Sequence, residues 1–231
     1  MKTLYICGDS FCSIDIEYPG GWATQFQKTH DTLDVINLAS PGASNFQIYL
    51  QVKEALKNNC EYLIYHATSS VRNEFVINHS AEKFPGYKNY WNRSFPDQDR
   101  QMICTSWLTP ENTLYLDQSQ ANLIKTFFKN FINIDTEVEK NYLFICSTLE
   151  LINSSKVKNW IWSRGGFEHK NFTDSKIWNF GYKDREATYN LWDHYDATIT
   201  RPFYHISDPT IIKTACDHYS TMLNLSTDDT N

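Results

Sequence analysis

Thr3-Leu4-Tyr5-Ile6-Cys7-Gly8-Asp9-Ser10 lies near the start of the chain and decides how the rest is read. Its apolar part runs without alternation, which suits a strand covered on both faces rather than one facing water. Gly8 then permits a sharp turn, because it has no Cβ to clash. Working outward, Pro19-Gly20-Gly21 breaks the chain, and Trp22 to Lys28 reads as a short helix. Val35-Ile36-Asn37-Leu38 reads as a second strand that ends in the turn residues Ala39-Ser40-Pro41-Gly42-Ala43. Ser44, with Gln47 three residues on, has the form of a capping box. Ile48, Val52, Ala55 and Leu56 follow at helical spacing.

Tyr62 to Ala67 is a third buried strand, leading into Thr68-Ser69-Ser70. Ala121 to Ile132 reads as a helix. Val138, Tyr142, Ile145, Leu149 and Ile152 mark the clearest helix in the chain. Asn159-Trp160-Ile161-Trp162-Ser163 is a fourth strand closed by Gly165-Gly166, and Pro202 to Ser207 a fifth. A short last helix is expected from Ser220. Two stretches, about 75–118 and 164–201, are aromatic-rich and without period, and read as insertions forming a cap. Strands alternating with helices, each strand ending in a small-residue turn, imply a parallel α/β sheet. Ligands of such sheets bind at the carboxyl ends of the strands.

Composition narrows the function classes. The 231 residues suit one domain over 1–231, and 41% hydrophobic residues can build its core. The formal charge of -6, with no cluster of Lys and Arg, argues against a nucleic-acid binder. No apolar run reaches the roughly 20 residues that cross a bilayer, and the first run is too short for a secretory leader. Six scattered cysteines without a CxxC pair suggest reduced thiols, so a cytoplasmic location is expected. No HExxH, GxGxxG or GxxxxGK[ST] motif is present, so neither a metal nor a nucleotide cofactor is called for. Aromatic residues reach 15%, which suits a groove for a small or extended ligand as well as a packed cap.

The chemistry concentrates at the strand ends. Ser10 would project above the sheet edge after the first strand, where a nucleophile is useful. His218, in Cys216-Asp217-His218-Tyr219-Ser220, is the best-placed base if a final loop returns it to that edge. Arg72 follows the third-strand turn, where a cation can meet an anionic substrate or pair with an acid.

Gly8-Asp9-Ser10 at the end of the first strand resembles the first block of the SGNH, or GDSL, hydrolases. Asn37-Leu38-Ala39-Ser40-Pro41-Gly42-Ala43-Ser44-Asn45 resembles the second block, and Asp217-His218-Tyr219-Ser220 the late histidine block. The resemblance implies a three-layer α/β/α sandwich. It also implies a Ser10 nucleophile, a His218 base and a Gly42 backbone N–H in the oxyanion hole. The family's third block, Gly-x-Asn-Asp, is here Ala67-Thr68-Ser69-Ser70, which leaves Ser69 or Asn45 to replace the missing side-chain donor. The family's acid, three residues before the histidine, is here Ala215. That leaves Asp217, Asp208 or a dyad without an acid. The expectation is an acyl hydrolase acting on a small-molecule or glycan ester through an acyl-enzyme, with carbohydrate acetyl esters among its substrates. It resembles compact phage or bacterial members of the family. The alternative is a binding or structural protein on the same fold that has lost catalysis.

Overall fold

A computed structural model describes residues 2–13, 20–40, 42–70, 72–78, 100–106, 118–167, 183–194 and 206–225. The first strand, β1 (Lys2–Cys7), pairs in parallel with β2 (Leu33–Asn37) on one side and β3 (Tyr62–His66) on the other. The next sheet strand, β6 (Asn159–Ser163), adds beyond β3, giving the all-parallel order β2-β1-β3-β6. Between β3 and β6 the chain makes an antiparallel pair, β4 (Arg72–Asn78) and β5 (Arg100–Ser106). The helices are α1 (Trp22–Thr29), α2 (Asn45–Lys57), α3 (Gln118–Phe131), α4 (Ile134–Asn153) and α5 (Pro209–Met222).

Side-chain alternation along the strands builds two cores. Leu4, Ile6, Ile64 and Ile161 face α1 and α5, where they meet Trp22, Phe26, Ile212, Ala215 and Tyr219. Tyr5, Cys7, Leu63, Tyr65, Trp160 and Trp162 face α2 and α4, against Ile48, Val52, Ala55, Ile145, Leu149 and Ile152. The molecule is therefore a three-layer α/β/α sandwich, with α1 against α5 and α2 against α4. Burial on both faces explains the unbroken apolar run of β1, in which Leu4 to Cys7 are all buried. Among the described residues, no helix is long and apolar enough to cross a membrane.

Several local expectations change. Residues 72–78 and 100–106 are strands, so the stretch read as an irregular insertion from about 75 to 118 carries most of an antiparallel strand pair that begins before it. The last helix does not start near Ser220. It starts at Pro209, with Asp208 as its cap: Oδ1 accepts from the N–H groups of Thr210 (2.8 Å) and Ile211 (3.4 Å). Of the expected fifth strand, 202–205 lie outside the described residues, and Ile206 and Ser207 are not in a strand. Beyond β6 stands Glu186, bridged in parallel to Trp162, with the Ala187 N–H donating to the Trp162 carbonyl at 2.7 Å. Glu186 and Ala187 thus extend the outer edge of the sheet by one bridge, and the segment goes on to Trp192, which lies against Phe11.

The order of crossovers marks where a ligand crevice is expected. From β1 the chain moves outward to β2, then returns across β1 to β3 and on to β6. Adjacent strands whose connections leave in opposite directions splay apart at their carboxyl ends, and ligands of parallel sheets bind there. In this chain that point lies between the exits of β1 and β3, where Gly8-Asp9-Ser10 and Thr68-Ser69-Ser70 stand.

Candidate active site

Ser10 sits in a turn fixed from several sides. The Cys12 N–H donates to the Asp9 carbonyl at 3.1 Å, closing the turn around Ser10 and Phe11. Asp9 Oδ1 accepts from the Phe11 N–H at 3.0 Å, and the Ser13 hydroxyl donates to the Ser10 carbonyl at 3.1 Å. Before the turn, the Gln51 side chain holds both polar groups of Gly8. Its Oε1 accepts from the Gly8 N–H at 2.8 Å, and its Nε2 donates to the Gly8 carbonyl at 3.2 Å. After the turn, the Trp22 indole donates to the Phe11 carbonyl at 2.7 Å and the Asn37 amide to the Cys12 carbonyl at 2.7 Å. Gly8 itself is required by packing: a Cβ there would lie 2.8 Å from Cys12 Sγ and 3.0 Å from His66 Cβ.

The loop carrying Gly42 is drawn beside this turn by continuation of the β1–β2 ladder. Leu38 donates to the Ile6 carbonyl at 2.8 Å and Ser40 to the Gly8 carbonyl at 3.1 Å. The Ala43 N–H then donates to the Ser40 carbonyl at 3.1 Å, with Gly42 at φ 78°. This left-handed conformation is one that glycine adopts without Cβ strain. Ser44 caps α2 through its side chain, which accepts from the Gln47 N–H at 3.1 Å, as the sequence indicates.

A closed ring of polar groups joins the strand exits. Asp9 Oδ2 accepts from the Thr68 hydroxyl at 2.6 Å and from Arg72 Nη1 at 2.8 Å. The same Arg72 nitrogen donates to the Ala43 carbonyl at 3.0 Å. Thr68 is in turn clamped by Asn45, whose Oδ1 accepts from the Thr68 N–H and whose Nδ2 donates to the Thr68 carbonyl, both at 2.9 Å. The chain from Asn45 back to Ala43 closes the ring. Asn45 Nδ2 also donates to Asn141 Oδ1 at 2.9 Å, and Asn141 Nδ2 donates to the Ser70 carbonyl at 3.2 Å. Asp9, Asn45, Thr68 and Asn141 are all buried, so their mutual satisfaction is what allows them to stand there.

Asn45 was one of two candidates for the missing oxyanion donor. Both of its amide hydrogens are engaged, on Thr68 and Asn141, so it serves as a clamp on the β3 exit. Ser69, the other candidate, is half-buried at that exit, next to the clamped Thr68.

The histidine and the acids fall elsewhere than expected. His218 is not in a loop; it stands in the third turn of α5. Its Nε2 accepts from the Tyr189 N–H at 3.4 Å, and its ring lies beside those of Tyr189 and Tyr219. Burial lowers its pKa below the ordinary histidine value. Asp217 lies on the exposed side of α5, paired with Lys213 one turn earlier at 2.5 Å. Successive helix residues point about 100° apart, which is why the acid next to His218 in sequence does not back its ring. Asp208 is occupied as the cap of α5.

The aromatic layer over this edge comes from 183–194. Trp192 lies 4.8 Å from Phe11 between ring centroids, and Tyr189 lies 6.3 Å from His218. Asn190 Nδ2 ties the segment to the Gly165 carbonyl at 3.2 Å. His218 and Phe11, the residue after Ser10, therefore touch the same short segment. Deeper, His66 at the end of β3 bonds Tyr219 Oη through Nε2 at 2.9 Å and stacks on Trp22. Its burial pushes its pKa down to about 4, against a smaller upward pull from Asp9.

Gln51, Thr68, Asn141 and His66 were not singled out from sequence. A signal existed for Gln51: with Asn45 and Gln47 it places polar residues on the buried stripe of α2, where only apolar side chains are otherwise found. Among the described residues, no group of three His, Cys, Asp or Glu is arranged to hold a metal ion. The chain matches no known protein-family model and no curated protein sequence.

Proposed function

We propose that the protein is a serine acyl hydrolase of SGNH type, cleaving a carboxylic ester through an acyl-enzyme on Ser10. One observation carries the reading. Ser10, itself buried rather than projecting from the sheet edge, occupies a turn held on both sides at the carboxyl ends of β1 and β3, with the Gly42 loop drawn alongside. Such an arrangement is useful to a nucleophile that must be presented in one orientation, and a fixed turn supplies it.

In this reading Ser10 Oγ attacks the acyl carbon while His218 takes its proton. The negative charge that develops on the carbonyl oxygen is met by the backbone N–H groups of Ser10 and Gly42 and by the Ser69 hydroxyl. The bond to the alcohol breaks as His218 returns the proton to it, and water repeats the cycle on the acyl-serine. The 3.4 Å contact from the Tyr189 N–H to His218 is long for a hydrogen bond, so it is the contact that gives way when the base engages Ser10. The substrate is a small-molecule or glycan ester. Acetylated sugars are the first class to screen, because aromatic rings such as Trp192 stack on apolar sugar faces.

A second reading is favoured by a specific observation. His218, the expected base, Asp217, a candidate acid, and Asn45, a candidate oxyanion donor, are bonded to Tyr189, Lys213 and Thr68 with Asn141. This is the pattern of a binding protein that keeps the groove without the catalysis. Labelling with a fluorophosphonate probe separates the two. The hydrolase reading expects label on the wild type, none on Ser10→Ala and a slowed reaction of His218→Gln. A folded wild type that takes no label sinks the hydrolase reading.

A further inference from the structure

We infer that Arg72 is a positioning residue for the reaction at Ser10, an inference that rests on the hydrolase reading above. One nitrogen of its guanidinium, Nη1, donates to Asp9 Oδ2 at 2.8 Å and to the Ala43 carbonyl at 3.0 Å. Asp9 is the residue before Ser10, and Ala43 is the residue after Gly42. A single group thus spans the turn that presents the nucleophile and the turn that presents the proposed oxyanion donor.

The placement of Arg72 is itself fixed. It is the first residue of β4 and pairs with Ser106 at the end of β5, so the strand pair fixes its backbone. The ion pair is largely withdrawn from water, with side-chain exposures of 15% for Arg72 and 3% for Asp9. Its partners face it from every neighbouring exit: the Asp9 carboxylate from β1, the Ala43 carbonyl from the β2 loop, and Thr68, through Asp9, from β3. Without the guanidinium the Ala43 carbonyl and one lone pair of Asp9 lose their donor. The Gly42 and Ser10 turns can then shift relative to each other while Gln51, Asn37 and Trp22 still hold the Ser10 turn itself. A displacement of about 1 Å between reacting groups is enough to cost on the order of 10²-fold in rate.

The test compares the wild type, Arg72→Lys, Arg72→Gln and the double variant Asp9→Asn/Arg72→Gln. Each is measured for fluorophosphonate labelling over a range of probe concentration and for melting temperature. Arg72→Gln is expected to lower the maximal labelling rate by about tenfold or more, with the half-saturating probe concentration changed less than about twofold. Its melting temperature falls as well, since an unpaired carboxylate is left buried. In the double variant that carboxylate is gone, so melting recovers while labelling stays slow. Lys keeps the charge without the planar fork and falls between wild type and Gln. If Arg72→Gln fails to fold, Arg72→Lys and the double variant carry the comparison. Labelling of the Arg72 variants at the wild-type rate overturns the inference, and so does labelling that recovers together with melting in the double variant. A wild type without label overturns the Ser10 reading, and the inference with it.

Discussion

His66 should make the protein lose stability between pH 7 and pH 5. It lies under Gly8, stacked on Trp22 and bonded to Tyr219 Oη, and burial brings its pKa from an ordinary 6.5 to about 4. The folded state therefore keeps the ring neutral where the unfolded chain has already taken up a proton. Between those two values the unfolded state binds more protons, so stability falls as pH falls through the window and levels off below about 4. At pH 5 the unfolded ring is almost wholly protonated and the folded ring almost wholly neutral. The difference amounts to about 2 kcal/mol relative to pH 7. Urea unfolding at pH 7, 6 and 5 reads this directly: with a slope of about 2 kcal/mol/M, the midpoint drops by about 1 M. His66→Gln keeps a polar partner for Tyr219 but cannot titrate, so its midpoint should fall by much less over the same range. His218, whose pKa is also lowered by burial, is present in both proteins and cancels in the comparison. Parallel falls of wild type and His66→Gln would show that the buried ring is not what gives up stability.

Two further substitutions test the placement of other groups. Gly165 adopts φ +55°, and a Cβ there would come within 2.0 Å of the Ala67 carbonyl oxygen, so Gly165→Ala should cost at least about 2 kcal/mol in thermal unfolding; an unchanged melting temperature would contradict the close approach of that turn to the β3 exit. Asp217→Asn removes a solvent-exposed ion pair with Lys213, should leave the melting temperature almost unchanged, and should leave the labelling rate of Ser10 within about twofold. A collapse of labelling in Asp217→Asn would return that residue to the triad.

The parts of the fold legible in sequence were those set by burial along one element. Leu4 to Cys7 read as a strand covered on both faces because both faces are covered, by Phe26 and Tyr219 on one side and Val52 and Leu149 on the other. Ser44 read as a cap because its partner, Gln47, is three residues away. The start of α5 was equally local and was missed. Asp208-Pro209 is a cap followed by a first-turn proline. Ile212, Ala215, Cys216 and Tyr219 repeat at helical spacing, and Lys213 with Asp217 marks an exposed i,i+4 face. Adjacent residues on a helix point about 100° apart, so Asp217 meets Lys213 while His218 meets Tyr189.

The polar ring was legible only in its residue types. Its members stand at 9, 43, 45, 68, 72 and 141, and nothing in their spacing pairs them. They meet because β3 crosses back beside β1, which brings Thr68 to Asp9, and because β4 starts directly after β3, which brings Arg72 to both. Sequence offered two futures for Arg72, a substrate anion or an acid of the protein, and topology chose the acid. That choice changes what the residue can do. A guanidinium already opposite Asp9 has little charge left to attract an anionic substrate, but it has a fixed geometry to impose on the two turns it touches. The same reasoning separates Asn45 from Ser69. The Asn45 amide, a candidate oxyanion donor by sequence, is engaged by Asn141 and by Thr68, the residue before Ser69. Asn45 therefore acts as a support of the β3 exit, through its bonds to Thr68 and Asn141.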